Sequence, residues 1–238
     1  METTPILQVL ATHALALVPA GAWVGLGTGR AASAFIAALG AKVRDGFEVT
    51  GVPTSEASER QARALGISIA ALEEGRLLEI TVDGADEVAP SLDIVKGRGG
   101  ALVRERIVAA ASKRQVILVT GDKLVSALGE RGDIPVEIIP MAQGLVIHRL
   151  KGLGIGPAVR AGAGLAPFIT ENGNLTLDCA LPLPLATTAT ARQMEIAIRA
   201  IPGVVDTGLF IGTAERVLVG YPGGRVDVLI RPVGDAAS

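Results

Sequence analysis

The stretch Ala22-Trp23-Val24-Gly25-Leu26-Gly27-Thr28-Gly29-Arg30, running on into Ala31-Ala32-Ser33-Ala34-Phe35-Ile36-Ala37-Ala38-Leu39, decides how this chain is read. Ala22 to Gly27 is short and apolar, as a buried strand requires, and Ala31 to Leu39 reads as a helix. The glycines between them form a tight strand-to-helix turn, where backbone can approach a neighbour or a ligand closely. The same alternation extends outward in both directions. Ile6 to Val18 reads as a helix, Phe47 to Pro53 as a strand and Glu56 to Leu65 as a helix. Leu77 to Val82 is a strand that ends in the acidic segment Asp83-Gly84-Ala85-Asp86-Glu87, and Ala101 to Ala111 is a helix before the strand Val116 to Thr120. This order predicts an α/β fold, a mostly parallel sheet with helices on both faces. In such sheets ligands bind beyond the carboxyl ends of the strands.

After Asp133 the pattern changes. Ile134 to Ile139, Phe168 to Thr170 and Leu175 to Cys179 read as short strands, and helical stretches follow Met141 and Thr190. That mixture predicts a smaller α+β lobe. Leu209 to Ile211, Arg216 to Val219 and Val226 to Ile230 are strands expected to rejoin the main sheet. The domains expected are therefore 1–132 with 208–238, and 133–207.

Composition narrows the function. Of 238 residues 49% are apolar and 19% charged, enough for a large core and against disorder. A formal net charge of −2 offers no basic excess for a polyanionic backbone, which argues against nucleic acid as partner. A small phosphorylated metabolite needs only a few local cations. Cys179 is the single cysteine, so no intrachain disulfide forms and a reducing, cytoplasmic compartment is expected. No basic segment precedes the apolar N-terminus, and no apolar run reaches the ~20 residues of a membrane helix, so neither a signal peptide nor a membrane partner is expected.

Candidate chemistry gathers at predicted strand ends. In the first loop Gly29 opens a helix whose N–H groups suit an anion, Thr28 adds a hydroxyl, and Arg30 could bind a phosphate with its fork of donors. Arg30 stands where a dinucleotide fingerprint needs its third glycine, which lowers a nicotinamide reading. A plain turn with no ligand explains the loop equally well. Asp83, Asp86 and Glu87 crowd three carboxylates together, which suits acid–base work on a hydroxyl-rich ligand, a Mg²⁺ site, or a solvated acidic loop. Lys96-Gly97-Arg98-Gly99-Gly100 is a second glycine-rich loop opening a helix, led by a cation that could stabilise an oxyanion. Glu105, between Arg104 and Arg106, faces Ala101 and could aim back at that loop, although a Glu in this setting is commonly an exposed ion pair. Lys123 follows a strand end. His13, His148 and Cys179 have no spacing that makes a metal site or a nucleophile.

The order of these clusters resembles the type A ribose-5-phosphate isomerases. The resemblance runs through GLGTG at 25–29, GVPTS at 51–55, TVDGADEV at 81–88, IVKGRGGALVRERIV at 94–108, DKLV at 122–125, PVEIIPMA at 135–142, ENGN at 171–174 and IPGVVDTGLF at 201–210. It implies a Rossmann-like domain with a smaller ferredoxin-like α+β lobe inserted near the C-terminus, and a homo-oligomer, dimer or tetramer. It implies an aldose-ketose isomerase of the pentose phosphate pathway that needs no cofactor and no metal. By motif position it makes Glu105 the general base, with Asp83, Asp86 and Lys96 completing the catalytic set. It places Thr28, Gly29, Arg30, Ala31, Gly84, Ala85, Gly97, Arg98, Gly99 and Lys123 on the sugar phosphate. Two positions depart from the family pattern: Arg30-Ala31 stand where Ser-Thr is common, and Arg98 interrupts a run of glycines. An amino-sugar-phosphate enzyme on the same architecture, a non-catalytic metabolite-binding regulator and a metal-dependent enzyme are the rival readings. The pairing of Asp83 and Asp86 with Lys96 and Glu105 disfavours the first, and the absence of a DNA-binding helix pair the second.

Overall fold

The computed structural model describes residues 3–164 and 166–232. In chain order the elements are α1 (Thr3–Leu15), β1 (Ala22–Leu26), α2 (Arg30–Arg44), β2 (Val49–Pro53), α3 (Glu56–Ala64), β3 (Ser68–Ile69) and β4 (Ile80–Gly84). There follow β5 (Glu87–Val88), β6 (Ile94–Val95), α4 (Leu102–Ala110), β7 (Gln115–Thr120), β8 (Ile134–Ile138), α5 (Gln143–Gly152) and β9 (Gly156–Val159). The last are β10 (Leu175–Ala180), α6 (Thr188–Arg199), β11 (Val204–Thr207), β12 (Leu209–Phe210), β13 (Arg216–Gly220) and β14 (Val226–Ile230).

The chain divides into two compact units. The first comprises Met1–Ala85, Arg104–Lys123 and Gly212–Ser238; the second comprises Asp86–Val103 and Leu124–Ile211. The second unit therefore takes in 86–103, 124–132 and 208–211 besides the 133–207 of the expected lobe.

The first unit is built on a sheet of order β14-β13-β7-β4-β1-β2-β3, parallel throughout except for the antiparallel edge strand β14. The direction of winding reverses beside β1: β2 and β3 lie on one side of it, β4, β7 and β13 on the other. Such a switch point leaves a crevice at the carboxyl ends of the two strands that flank it, here β1 and β4. Helix α2 explains its own placement. Its buried residues Ala32, Phe35, Ile36, Leu39 and Gly40 recur at helical spacing and form one stripe. Phe35 and Leu39 are fully buried against Val24, Leu26, Ile80 and Val82, each worth roughly 1.5–3 kcal/mol of apolar burial. Helix α1 packs on α2 and on β7 and β13, and α4 covers the opposite face, where Val108 joins Val52 and Leu78.

The second unit carries the sheet β11-β8-β10-β9, antiparallel at every pairing, with α5 and α6 between its strands. The chain order β8-α5-β9-β10-α6-β11 is the split βαβ arrangement of ferredoxin-like folds. Strand β8 is buried on both faces: Ile134, Val136 and Ile138 enter a core with Val146, Leu150, Leu177 and Ile198, while Glu137 faces the other way. A small antiparallel sheet, β12-β6-β5, completes the unit.

Two expectations change. Leu209 and Phe210 do not rejoin the main sheet; they pair with Val95 and Ile94. Gly208 packs so tightly on the Lys96 carbonyl that a Cβ there would lie 2.2 Å from it, and this contact captures the strand for the small sheet. Phe168–Thr170 is not a strand either. Only Ile169 makes a bridge, to Leu175, because Thr170 is engaged with the Asn172–Asn174 turn instead. Among the described residues no helix is long and apolar enough to cross a membrane.

Candidate active site

In the first unit the candidate residues collect at the carboxyl ends of β1 and β4. Gly27 follows β1 directly across from Asp83, and a Cβ on Gly27 would come within 2.3 Å of the Asp83 carboxyl carbon. Gly25 is pressed in the same way against Thr81 and Val108. These two glycines therefore serve strand-to-strand and strand-to-helix packing, whereas Gly29, with φ +98° and open space around its Cα, supplies the left-handed turn into α2. Asp83 is 1% exposed. Its Oδ1 accepts from the backbone N–H of Thr28 at 3.1 Å and of Gly84 at 2.7 Å, which fixes the carboxylate's orientation.

Thr28 is held from behind by hydroxyls that the sequence reading did not single out. Thr28 Oγ1 lies 2.7 Å from Thr54 Oγ1, and Thr54 donates to the Leu26 carbonyl at 3.0 Å. Ser58 Oγ donates to the Gly27 carbonyl at 2.5 Å and sits 2.9 Å from Ser55 Oγ. Ser55 is also the N-cap of α3, accepting from the Ser58 N–H. The Thr-Ser pair after β2 was legible as a cap, but its second task depends on β1 and β2 being neighbours. Arg30 is exposed at the first position of α2, Ala31 is partly buried behind it, and Gly84 and Ala85 follow Asp83 with partial exposure. A groove of about 820 Å³ flanks the Gly29–Arg30 turn, its lining including Leu7 and Ala11 of α1 and Ala34 of α2. Lys123 ends a single 3₁₀ turn after β7 and is half-buried.

Glu105 departs from what its arginine neighbours suggest, since it is only 6% exposed. It shares the buried stripe of α4 with Leu102 and Val108, whereas Ile107 on the other side is half exposed. Val108 faces Gly25 of β1. The end of α4 lies beside the start of β4, where Leu78 N–H donates to the Ala111 carbonyl at 2.8 Å. The helix thus runs back along the sheet, and Glu105, about one turn before Val108, stands toward the carboxyl end, where Asp83 is.

In the second unit, Lys96 follows β6 and is 2% exposed. Its backbone N–H donates to the Gly208 carbonyl at 2.9 Å, and its Nζ lies 5.8 Å from the Phe210 ring centroid. Asp86 is partly buried and its Oδ2 accepts from the Arg98 N–H at 3.0 Å. Gly97 takes φ +105°, and Gly99 is exposed. The Arg98 side chain turns aside to Glu87, Nη2 to Oε1 at 3.3 Å.

Glu87 thus parts company with its two acidic neighbours. Fully buried, it also accepts from Gly129 N–H at 2.6 Å and Arg131 N–H at 2.9 Å, so it anchors a loop. The crowding visible in sequence is relieved because each carboxylate has its own donors. Arg98 is about a third exposed (34%), so its charge is partly solvated; the loss on removing Glu87 falls mainly on the two N–H groups. Glu87→Ala is expected to lower stability by roughly 1–3 kcal/mol, measured as a fall in thermal midpoint, with Glu87→Gln losing less.

Histidine and cysteine play no part here. His13 and His148 are exposed, and burial, with Asp178 and Asp133 nearby, pushes the Cys179 thiol up to about 12. Among the described residues no group of three or more His, Cys, Asp and Glu is placed to hold a metal ion.

Comparison with known proteins gives a consistent result. The family model for ribose 5-phosphate isomerase A (phosphoriboisomerase A) matches residues 50–224. A ribose-5-phosphate isomerase A from Gloeobacter violaceus is 45% identical over 230 residues, covering 96% of this chain and 97% of its own. The solved structure of ribose 5-phosphate isomerase A from Methanocaldococcus jannaschii has a TM-score of 0.89 at 37% identity, over 96% of this chain and 100% of that one. A D-ribose-5-phosphate isomerase solved in complex with phospho-erythronic acid has a TM-score of 0.91 at 35% identity, over 97% of this chain and 100% of that one.

Proposed function

Because the chain belongs to the ribose 5-phosphate isomerase A family, we propose that it interconverts D-ribose 5-phosphate and D-ribulose 5-phosphate in the pentose phosphate pathway, with Glu105 as the base. The observation that carries the reading is the burial of Glu105 on the sheet-facing stripe of α4. That burial sets the carboxylate on the side of the helix that faces the sheet, toward the end where Asp83 stands, which is where a base for the sugar carbons is needed.

The chemistry follows from the residue types. An aspartate, Asp83 or Asp86, handles the ring-oxygen proton as the furanose opens to the aldehyde. Glu105 then takes the C2 proton; the C2–H electron pair becomes the C1–C2 double bond and the carbonyl pair moves onto O1. Lys96 and the N–H groups of Gly97 and Gly99 stabilise the enediolate, where preorganised donors act most strongly. Glu105 returns the proton to C1 while an Asp moves the hydroxyl proton from O2 to O1, leaving the C2 ketone. One base serves both carbons because they are bonded neighbours. The positions of Thr28, Gly29, Arg30, Ala31, Gly84, Ala85 and Lys123 in the family motifs support their assignment to the sugar phosphate. No metal or organic cofactor enters these steps.

Arg30 replaces a hydroxyl contact common in the family with a charge-assisted one. Arg30→Ala is expected to raise KM for ribose 5-phosphate by about tenfold, the equivalent of ~1.4 kcal/mol, while kcat falls less. An unchanged KM would remove Arg30 from the phosphate site. A cytoplasmic homo-oligomer, dimer or tetramer, is part of the same reading, supported by family membership and by the single buried cysteine. The direct test is ribulose 5-phosphate formation from ribose 5-phosphate by the purified protein; no turnover would overturn the assignment.

A further inference from the structure

The loop that carries Lys96 has little of its own to hold it in shape. Gly97 and Gly100 take φ of +105° and +83°, and Arg98 and Gly99 are exposed. Ordering a glycine-rich segment costs more backbone entropy than ordering any other. Asp86 and Glu87 hold Arg98 from one side; the carbonyls of the loop are held by Arg160, which follows β9 and has a side chain only 13% exposed. Its Nη1 donates to the carbonyls of Gly97 at 2.9 Å and Arg98 at 3.2 Å. Its Nε donates to both oxygens of Asp178 on β10, at 3.2 and 3.0 Å. The guanidinium carbon lies 5.8 Å from the centroid of the Phe168 ring. That ring is packed so closely on Gly100 that a Cβ there would lie 2.5 Å from it. A planar fork with five donors is suited to tie two carbonyls and a carboxylate at once; a lysine ammonium is not.

We infer that Arg160, oriented by Asp178, is a positioning residue for the isomerisation. It grips the carbonyl side of residues 97 and 98, leaving the N–H side of the loop and the Lys96 side chain in the arrangement that stabilises the enediolate. Arg160 touches no reacting atom, and the inference rests on the isomerase reading above. Neither the sequence motifs nor the residues assigned to the sugar phosphate include Arg160 or Asp178.

The experiment uses the full chain with Arg160→Met, which keeps much of the bulk and removes every donor, beside Arg160→Lys and Asp178→Asn. A misplacement of about 1 Å can cost ~10²-fold in rate. The expected result for Arg160→Met is therefore a fall in kcat of about 10- to 100-fold with KM within about threefold of wild type. Arg160→Lys should recover part of the rate. Backbone amides of 97–100 should exchange faster with solvent deuterium in Arg160→Met than in wild type, while amides of β7 and β13 keep their protection. A folded Arg160→Met with wild-type kcat, or with the loss confined to KM, overturns the inference. If Arg160→Met does not fold, Arg160→Lys and Asp178→Asn decide, and unchanged kcat in both overturns it. A wild-type protein that does not convert ribose 5-phosphate sinks the isomerase reading instead, while amide exchange at 97–100 still reports whether Arg160 holds the loop.

Discussion

Glu105→Gln is expected to lower kcat for ribose 5-phosphate by about 10²–10⁴-fold, the usual contribution of one positioned base, with KM little changed. The amide has the shape of the carboxylate but cannot accept a proton from C2. Because Glu105 lies in the buried stripe of α4, an isostere is the right probe; Ala would add a cavity and confuse lost chemistry with lost packing. Exchange of the C2 deuterium of labelled substrate with solvent should disappear together with turnover. If Glu105→Gln keeps wild-type kcat, the base is another group and the proposed proton path is wrong.

Gly27→Ala carries the second large effect, and it falls on stability and activity together. The new Cβ would lie 2.3 Å from the Asp83 carboxyl carbon and 2.7 Å from its Cα. The side chain could rotate away, but the Cα cannot without parting the strands. Their ladder continues to this point, where Gly27 N–H donates to the Val82 carbonyl at 3.0 Å. Overpacking of this kind costs about 1–3 kcal/mol, occasionally more. Asp83 would also lose the Thr28 N–H that orients it, so kcat should fall by at least about tenfold in whatever fraction remains folded. Thermal melting and single-turnover kinetics on the same preparation check both parts. Gly46→Ala is the control: it lies outside the site, its Cβ meets nothing, and only its positive-φ backbone, at roughly 1–2 kcal/mol, is penalised. A Gly27→Ala protein that melts and turns over like wild type would show that the β1–β4 contact is looser than drawn.

The main sheet was readable because its signals are local. Each of β1, β2, β4 and β7 is a short apolar run flanked by a helical stretch, and the glycine turn at 25–29 marks where the first strand stops. The small sheet was not readable for the opposite reason. Strands β5 and β6 are two residues long, too short to show a period of two, so β12, legible as a strand, had no visible partner but the main sheet. Helix α1 ends at Leu15, short of the Val18 that the sequence suggests, because Leu17 and Val18 continue the apolar pattern past the helix end.

Chain order, element type and the identity of the chemical groups follow from the amino-acid sequence unaided, because helix and strand periods, turn residues and motif spacing are written in neighbours. What those groups face is decided by residues distant along the chain. Asp83 meets the Thr28 N–H across 55 positions, and Arg160 meets the Gly97 carbonyl across 63. Glu87 and Asp86 sit side by side in the acidic segment, yet one anchors a loop and the other accepts from the Arg98 N–H. No local pattern could separate them. Burial and partner choice are properties of strand register and packing, and these arise only when the whole chain has closed on itself.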